Sequence, residues 1–316
     1  MKKILILVSA ALLFAGCSKV VWEDDTPYIT FSADAPQSFT MNFDNWDLGQ
    51  FILDEGEFFE YSVGDGEWQR FTGTVSGIAF GGENGNLRLR GKSRRGTTYS
   101  DENDLYPTII VEFSEDAVPV RCSGDIRTLV DYSDYRNADT RNAQFGYLFY
   151  GCNALVSVPD LPATELAEKC YDSMFSLCTS LEIAPELPAT KLSNGCYSSM
   201  FSQCFSLKTA PELPASELCD ECYQYMFYEC TSLETAPELK AETLVDACYR
   251  SMFQFCSSLK DVKLHATDGF DSKNCIADFL LDSGPGTLYL KNEDVAKKLT
   301  EHSNYSLTWQ IKYLSE

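Results

Sequence analysis

The chain has 316 residues, 47 acidic and 25 basic, for a net charge of −22. Such a surplus repels polyanions, and phosphate contacts need clustered cations, so nucleic acid is not an expected partner. The length exceeds one ordinary domain, and the composition shifts near residue 140, so two units are expected.

Lys2 and Lys3 open the chain, and Ile4 to Phe14 form an apolar run too short to span a bilayer. Leu13-Phe14-Ala15-Gly16-Cys17 ends it. This run resembles the signal and lipobox of bacterial lipoproteins. The resemblance implies that residues 1–16 are removed and that the Cys17 thiol carries diacylglycerol, with palmitate among the acyl chains. Losing Lys2 and Lys3 would take the mature charge to −24. Several acyl chains hold a protein durably at a membrane. Residues 17–26 read as an acidic tether, with Glu23-Asp24-Asp25. In lipoproteins of this kind, acids soon after the cysteine imply an outer-membrane protein displayed at the cell surface. The competing reading is an ordinary signal peptide with an incidental cysteine.

From 27 to 132 the pattern has period two and is bounded by turn residues, which predicts β-structure. Expected strands are Tyr28–Ala33, Ser38–Phe43, Phe58–Val63, Glu67–Thr72, Gly77–Phe80, Asn86–Arg90 and Thr108–Phe113. Gly64-Asp65-Gly66 and Asn84-Gly85 supply tight turns, since these residues tolerate positive φ. Several short strands with such turns point to an immunoglobulin-like β-sandwich. Phe59-Glu60-Tyr61-Ser62-Val63 with Trp68 is similar to a hairpin in small β-domains of anaerobic Gram-negative surface lipoproteins. Tyr61 and Trp68 suggest either carbohydrate stacking or cross-strand packing. Arg88, Arg90, Lys92, Arg94 and Arg95 read as a solvated hairpin, with a polyanion site as the alternative.

A linker is expected at 133–143, and a repeat unit at 144–316. Cys170, Cys196, Cys222 and Cys248 are 26 apart. The same interval separates Met174, Met200, Met226 and Met252, then Phe175, Phe201, Phe227 and Phe253, and then Cys178, Cys204, Cys230 and Cys256. Periods of this size are the mark of a solenoid. At 100° per residue, Leu192, Cys196, Tyr197, Met200, Phe201, Cys204 and Leu207 fall on one half of a helix surface, predicting an amphipathic helix. Leu207-Lys208-Thr209-Ala210 then reads as a short strand ended by Pro211. Each unit is thus expected to be a strand plus a helix, an α/β solenoid.

The unit Met-Phe-x-x-Cys-x-x-Leu, as in Met174-Phe175-Ser176-Leu177-Cys178-Thr179-Ser180-Leu181, resembles the BspA-like leucine-rich-repeat family. Cys196 to Thr209 followed by Ala210-Pro211-Glu212-Leu213-Pro214-Ala215 is similar to that family's 26-residue variant. Partial units lie at both ends. Leu148-Phe149, Cys152 and Leu155 begin the array, and Gly286-Thr287-Leu288-Tyr289-Leu290 followed by a helix near Glu293 to His302 resembles the degenerate last turn. The resemblance implies adhesion to, or recognition of, host or neighbouring-cell macromolecules.

Thirteen cysteines in an exported chain would ordinarily suggest disulfides. Their helical phase suggests packed free thiols instead, with one or more disulfides left open. Asp160, Glu186, Glu212 and Glu238 form an acidic column, either solvated or able to bind Ca²⁺. His265 and His302 sit beside no nucleophile or ligand set, and no phosphate loop, zinc signature or nucleophile elbow occurs. No catalytic residue, cofactor or metal is therefore expected. A protein or glycan ligand is expected on the repeats, where Tyr225, Tyr228 and Phe255 break the column pattern. The alternatives are packing between units for these three residues, and glycan capture for uptake or a structural envelope role for the chain.

Overall fold

The computed structural model describes residues 26–45, 49–99, 106–114, 116–302 and 308–315. The expected signal, Cys17 and nearly all of the tether lie outside them. The chain is β-rich, with four sheets and two α-helices among the described residues: α1 (Thr128–Asp131) and α2 (Glu293–His302). No helix there is long and apolar enough to cross a membrane.

The first part contains β1 (Ile29–Ala33), β2 (Gln37–Asn42), the two-residue pair β3 (Asp44–Asn45) and β4 (Gly49–Gln50), β5 (Phe58–Val63) and β6 (Gln69–Phe71). It continues with β7 (Val75–Phe80), β8 (Leu87–Lys92), β9 (Ile110–Phe113) and β10 (Val120–Ser123). Alternation does the work expected of it. Ile29, Phe31 and Ala33 are buried while Thr30 and Ser32 face outward, and in β8 Leu87 and Leu89 point in while Arg88 and Arg90 point out. One sheet runs β11-β10-β1-β8-β5-β6 and another β7-β2-β9, where β11 is Leu155–Ser157. Phe31 of the first sheet meets Phe39 and Phe113 of the second, with ring centroids 5.6 and 5.7 Å apart.

The 26-residue units stack in register, but they are not built as expected. The segment predicted as an amphipathic helix is a ribbon of turns. Asp172 N donates to Lys169 O at 3.2 Å and Met174 N to Tyr171 O at 3.2 Å, both spanning three residues rather than four. The intervening amides leave the unit altogether: Tyr171 N donates to Cys196 O, Ser173 N to Ser198 O and Phe175 N to Met200 O, at 2.8–3.0 Å. Every fourth residue is left-handed, as at Lys169, Ser173 and Leu177 with φ of 52°, 54° and 63°. The same steps recur at Glu221, Tyr225 and Glu229. Each costs about 1–2 kcal/mol for a residue with a Cβ. The turned amide gains a bond to the next unit, and the fixed period buries two side chains in every four.

Over nine residues a period of 3.6 and one of 4.0 diverge by only about 80°. At 90° per residue, Cys196, Met200 and Cys204 share one edge, and Tyr197 and Phe201 share the next. The pattern that suggests a helix fits the four-residue ribbon more tightly.

Stacking then copies each side chain onto its equivalent. Phe149, Phe175, Phe201, Phe227 and Phe253 form a column with neighbouring centroids 5.6–5.7 Å apart and ring planes within 16°. Tyr171, Tyr197, Tyr223 and Tyr249 form another at 5.8–6.0 Å. The expected strand at 207–210 is reduced to a single bridge, Thr209 to Thr235. Regular parallel strands form only later, as β12 (Thr235–Leu239), β13 (Asp261–Leu264), β14 (Thr287–Leu290) and β15 (Gln310–Tyr313). There Lys240 stands where earlier units have Pro188 and Pro214, and β13 carries no proline at all.

The two parts share one hydrophobic core. β11, from the first unit, pairs in parallel with β10, Val120 opposite Leu155. Val111 N donates to Leu148 O at 2.8 Å, and Phe31 meets Phe149 at 6.1 Å. Across the expected linker, Ala143 is fully buried. The compositional boundary marks a change of pattern, not a break in packing.

Candidate functional site

Each four-residue step of the ribbon buries its first two side chains, and the other two lie on the outer side, partly exposed at Gln224, Tyr225, Tyr228 and Glu229 but covered where they are small, as at Ser173 and Ser251. On that outer side the structure brings together the three aromatic residues singled out by sequence. Tyr225 and Tyr228 meet edge to face at 5.7 Å, and Tyr228 meets Phe255 of the next unit at 5.5 Å. Arg250 lies over the Tyr225 ring at 5.5 Å. All three are partly exposed, and three other units hold Ser173, Ser199 and Ser251 where this one holds Tyr225. The patch is thus self-packed across two units, with ring surface left open. Tyr147 and Tyr150, 5.6 Å apart, repeat the pair three units earlier. Desolvation, then Glu229 and Tyr225, raises the Tyr228 hydroxyl above its ordinary pKa.

Tyr61 and Trp68 are not a pair. Tyr61 packs on Phe71 at 5.9 Å and donates to Gln69 Oε1 at 2.7 Å. Trp68 lies with the outward residues, the Arg90 guanidinium 3.9 Å from its ring centre and Tyr28 5.6 Å away. The basic run is not simply solvated either. Arg90 and Arg70 both bind Glu60, at 2.8 and 3.0 Å, and Arg90 also covers Tyr132 at 4.1 Å. These cations are occupied by rings and by a shared carboxylate, which removes them as a free polyanion patch.

Two members of the acidic column are compensated. Glu212 lies 3.8 Å from Lys240, and Glu238 accepts from His265 Nε2 at 2.8 Å, which lowers the Glu238 pKa. Among the described residues no three His, Cys, Asp or Glu side chains gather as metal ligands. The twelve described cysteines are free thiols. Cys178, Cys204, Cys230 and Cys256 each donate Sγ–H to a phenylalanine carbonyl of the preceding unit at 3.0–3.1 Å. Burial pushes these thiols up in pKa, Cys230 to about 12, which keeps them protonated donors and poor nucleophiles.

Sequence reasoning missed the left-handed positions, although a signal exists. Gly151 and Gly195, with φ of 72° and 60°, stand exactly one 26-residue step from Leu177 and Lys169. No protein-family model matches the chain, and neither does any curated protein or solved structure.

Proposed function

We propose that this is a lipid-anchored, non-enzymatic protein of the outer membrane surface that binds a protein or glycan on host or neighbouring cells. In this reading an immunoglobulin-like sandwich carries a leucine-rich-repeat-like solenoid of the BspA-like kind. The observation that carries the binding role is the open aromatic cluster of Tyr225, Tyr228 and Phe255 on the outer side of the ribbon. Exposed aromatic groups that are held rigid by one another supply contact area at little entropic cost. The stacked architecture supports it, because every unit presents its variable positions on one continuous face.

Unbiased host-protein and glycan arrays test the binding role. Tyr225→Ser combined with Tyr228→Ser should weaken the captured ligand by about tenfold or more while barely moving Tm. A fall in Tm with unchanged affinity would reduce the cluster to packing. For the anchor, a clickable fatty acid should label the wild type and miss Cys17→Ala. An unlabelled, soluble wild type refutes the lipid anchor and the location built on it.

A further inference from the structure

A cleft of about 1000 Å³ lies where the large sheet meets the first repeat unit, away from the aromatic cluster. That is the upper end of the size range of ordinary ligand sites. Its floor comes from strand register. Thr30 of β1 stands opposite Arg88 of β8 on one side and Ser123 of β10 on the other, so the three outward side chains form a row. Tyr28, just before β1 and two residues from Thr30, has its ring against Trp68 and beside Arg88. The far wall is Asp125 with Asp160 of the first unit. They are held side by side because Ile126 N donates to Asp160 O at 3.1 Å and Asp160 N donates to Gly124 O at 2.8 Å.

The charges decide what such a cleft would take. It is lined by three arginines and three aspartates, so it has no net sign. Arg127 is spent on Asp125 through bonds of 2.7 to 3.1 Å, and Arg88 donates to Ser62 Oγ and Gly64 O at 2.8 and 2.7 Å. The Arg127 guanidinium and the Arg88 Nη2 are thus committed to protein acceptors, while Arg88 Nε has no protein acceptor among the described residues and faces a ligand as a donor. Asp160 is open as well: its carboxylate has no hydrogen bond or ion pair among the described residues. It keeps solvent contact, yet burial and then the nearby Asp125 and Glu186 carboxylates raise its pKa. The Thr30 and Ser123 hydroxyls likewise have no partner among the described residues.

We infer that this cleft binds a neutral oligosaccharide. An ionised carboxylate accepts from two neighbouring hydroxyls at once, the serine and threonine hydroxyls exchange donor and acceptor roles, and the Tyr28 ring offers a flat apolar face to the C–H side of a pyranose. A hydroxyl-rich neutral chain satisfies all of these, whereas a charged one leaves an unmatched charge in a balanced site. The site is independent of the aromatic cluster on the repeats.

The test is an array of neutral hexose and N-acetylhexosamine oligosaccharides, with sialylated and sulfated ones as comparators, probed with the full chain. Retention of neutral members, little changed by salt, is expected. Asp160→Asn and Tyr28→Ser should each reduce it by about tenfold, the loss of one charge-assisted bond or one stacking face. Ile183→Ser, an exposed repeat residue outside both the cleft and the aromatic cluster, should retain it in full. Asp160→Asn changes an exposed side chain and keeps its size, so its fold is safe. No retention, retention of charged members alone, retention indifferent to both cleft variants, or loss in the repeat variant instead would each overturn the assignment.

Discussion

The two parts of this protein use the same aromatic side chains in opposite ways. In the first, rings meet at steep angles: Phe43 crosses Phe51, Phe59 and Phe71 at 75–79°. In the repeats, equivalent rings lie nearly parallel, Phe227 and Phe253 within 3°. Edge-to-face contact is what unlike neighbours choose when each ring settles independently. Near-parallel stacking follows when the backbone is copied every 26 residues, since identical rotamers must then be translated onto one another. The first part is specified by non-local pairing, Phe31 of β1 with Phe113 of β9, whereas the second is specified by neighbours one unit away. The difference teaches that repetition fixes side-chain geometry through the backbone, and alternation fixes it through the core.

The largest expected effect is a loss of stability at alkaline pH that originates in the repeats. The repeats hold eleven of the twelve described cysteines, and burial raises those of the core, Cys230 and Cys248 to about 12 from an ordinary 9.0. The folded state favours the neutral thiol, so this contribution is complete below about pH 9 and is lost as pH climbs through 12. Each thiol should cost on the order of 1 kcal/mol per pH unit in that window. Urea unfolding at pH 8 and pH 10.5 should show a steep fall; a flat profile would mean that the thiols ionise in the native array.

Next in size is Phe201→Ala, in the middle of a fully buried column, expected to cost about 3–5 kcal/mol in urea unfolding. Phe39→Ala in the first part should cost a similar amount. Because one core runs through both parts, each variant should shift the same single transition. Two transitions, with each variant moving only one, would break the picture of a shared core.

The smallest effect concerns the thiol ladder. Cys204→Val replaces the donor to Phe175 O with a bulkier hydrocarbon and should cost about 1–2 kcal/mol by urea unfolding. Cys204→Ser keeps a donor and should cost less. The reverse order would show that cysteine is there for volume alone.

Phe58–Val63 could be read as a strand to the residue, and the 26-residue register of the stacked columns could be read directly, because side-chain period and repeat length are written in the sequence. Tyr225, Tyr228 and Phe255 stood out in the sequence because they break the column pattern, while their meeting across two units came from the structure. Three further things were decided only by tertiary structure. Whether Cys196 to Cys204 winds as a helix or a ribbon depends on where its amides find acceptors, and those lie in the next unit. The opposite placement of Tyr61 and Trp68 depends on which face of the sheet the core covers, Tyr61 lying against Phe71 and Trp68 under Arg90. The cleft at Asp160 exists only because β11 joins β10 in parallel, bringing together residues from six separate segments. Local periodicity reports which side chains share a face; it carries no information about which distant backbone will satisfy the hydrogen bonds beneath them.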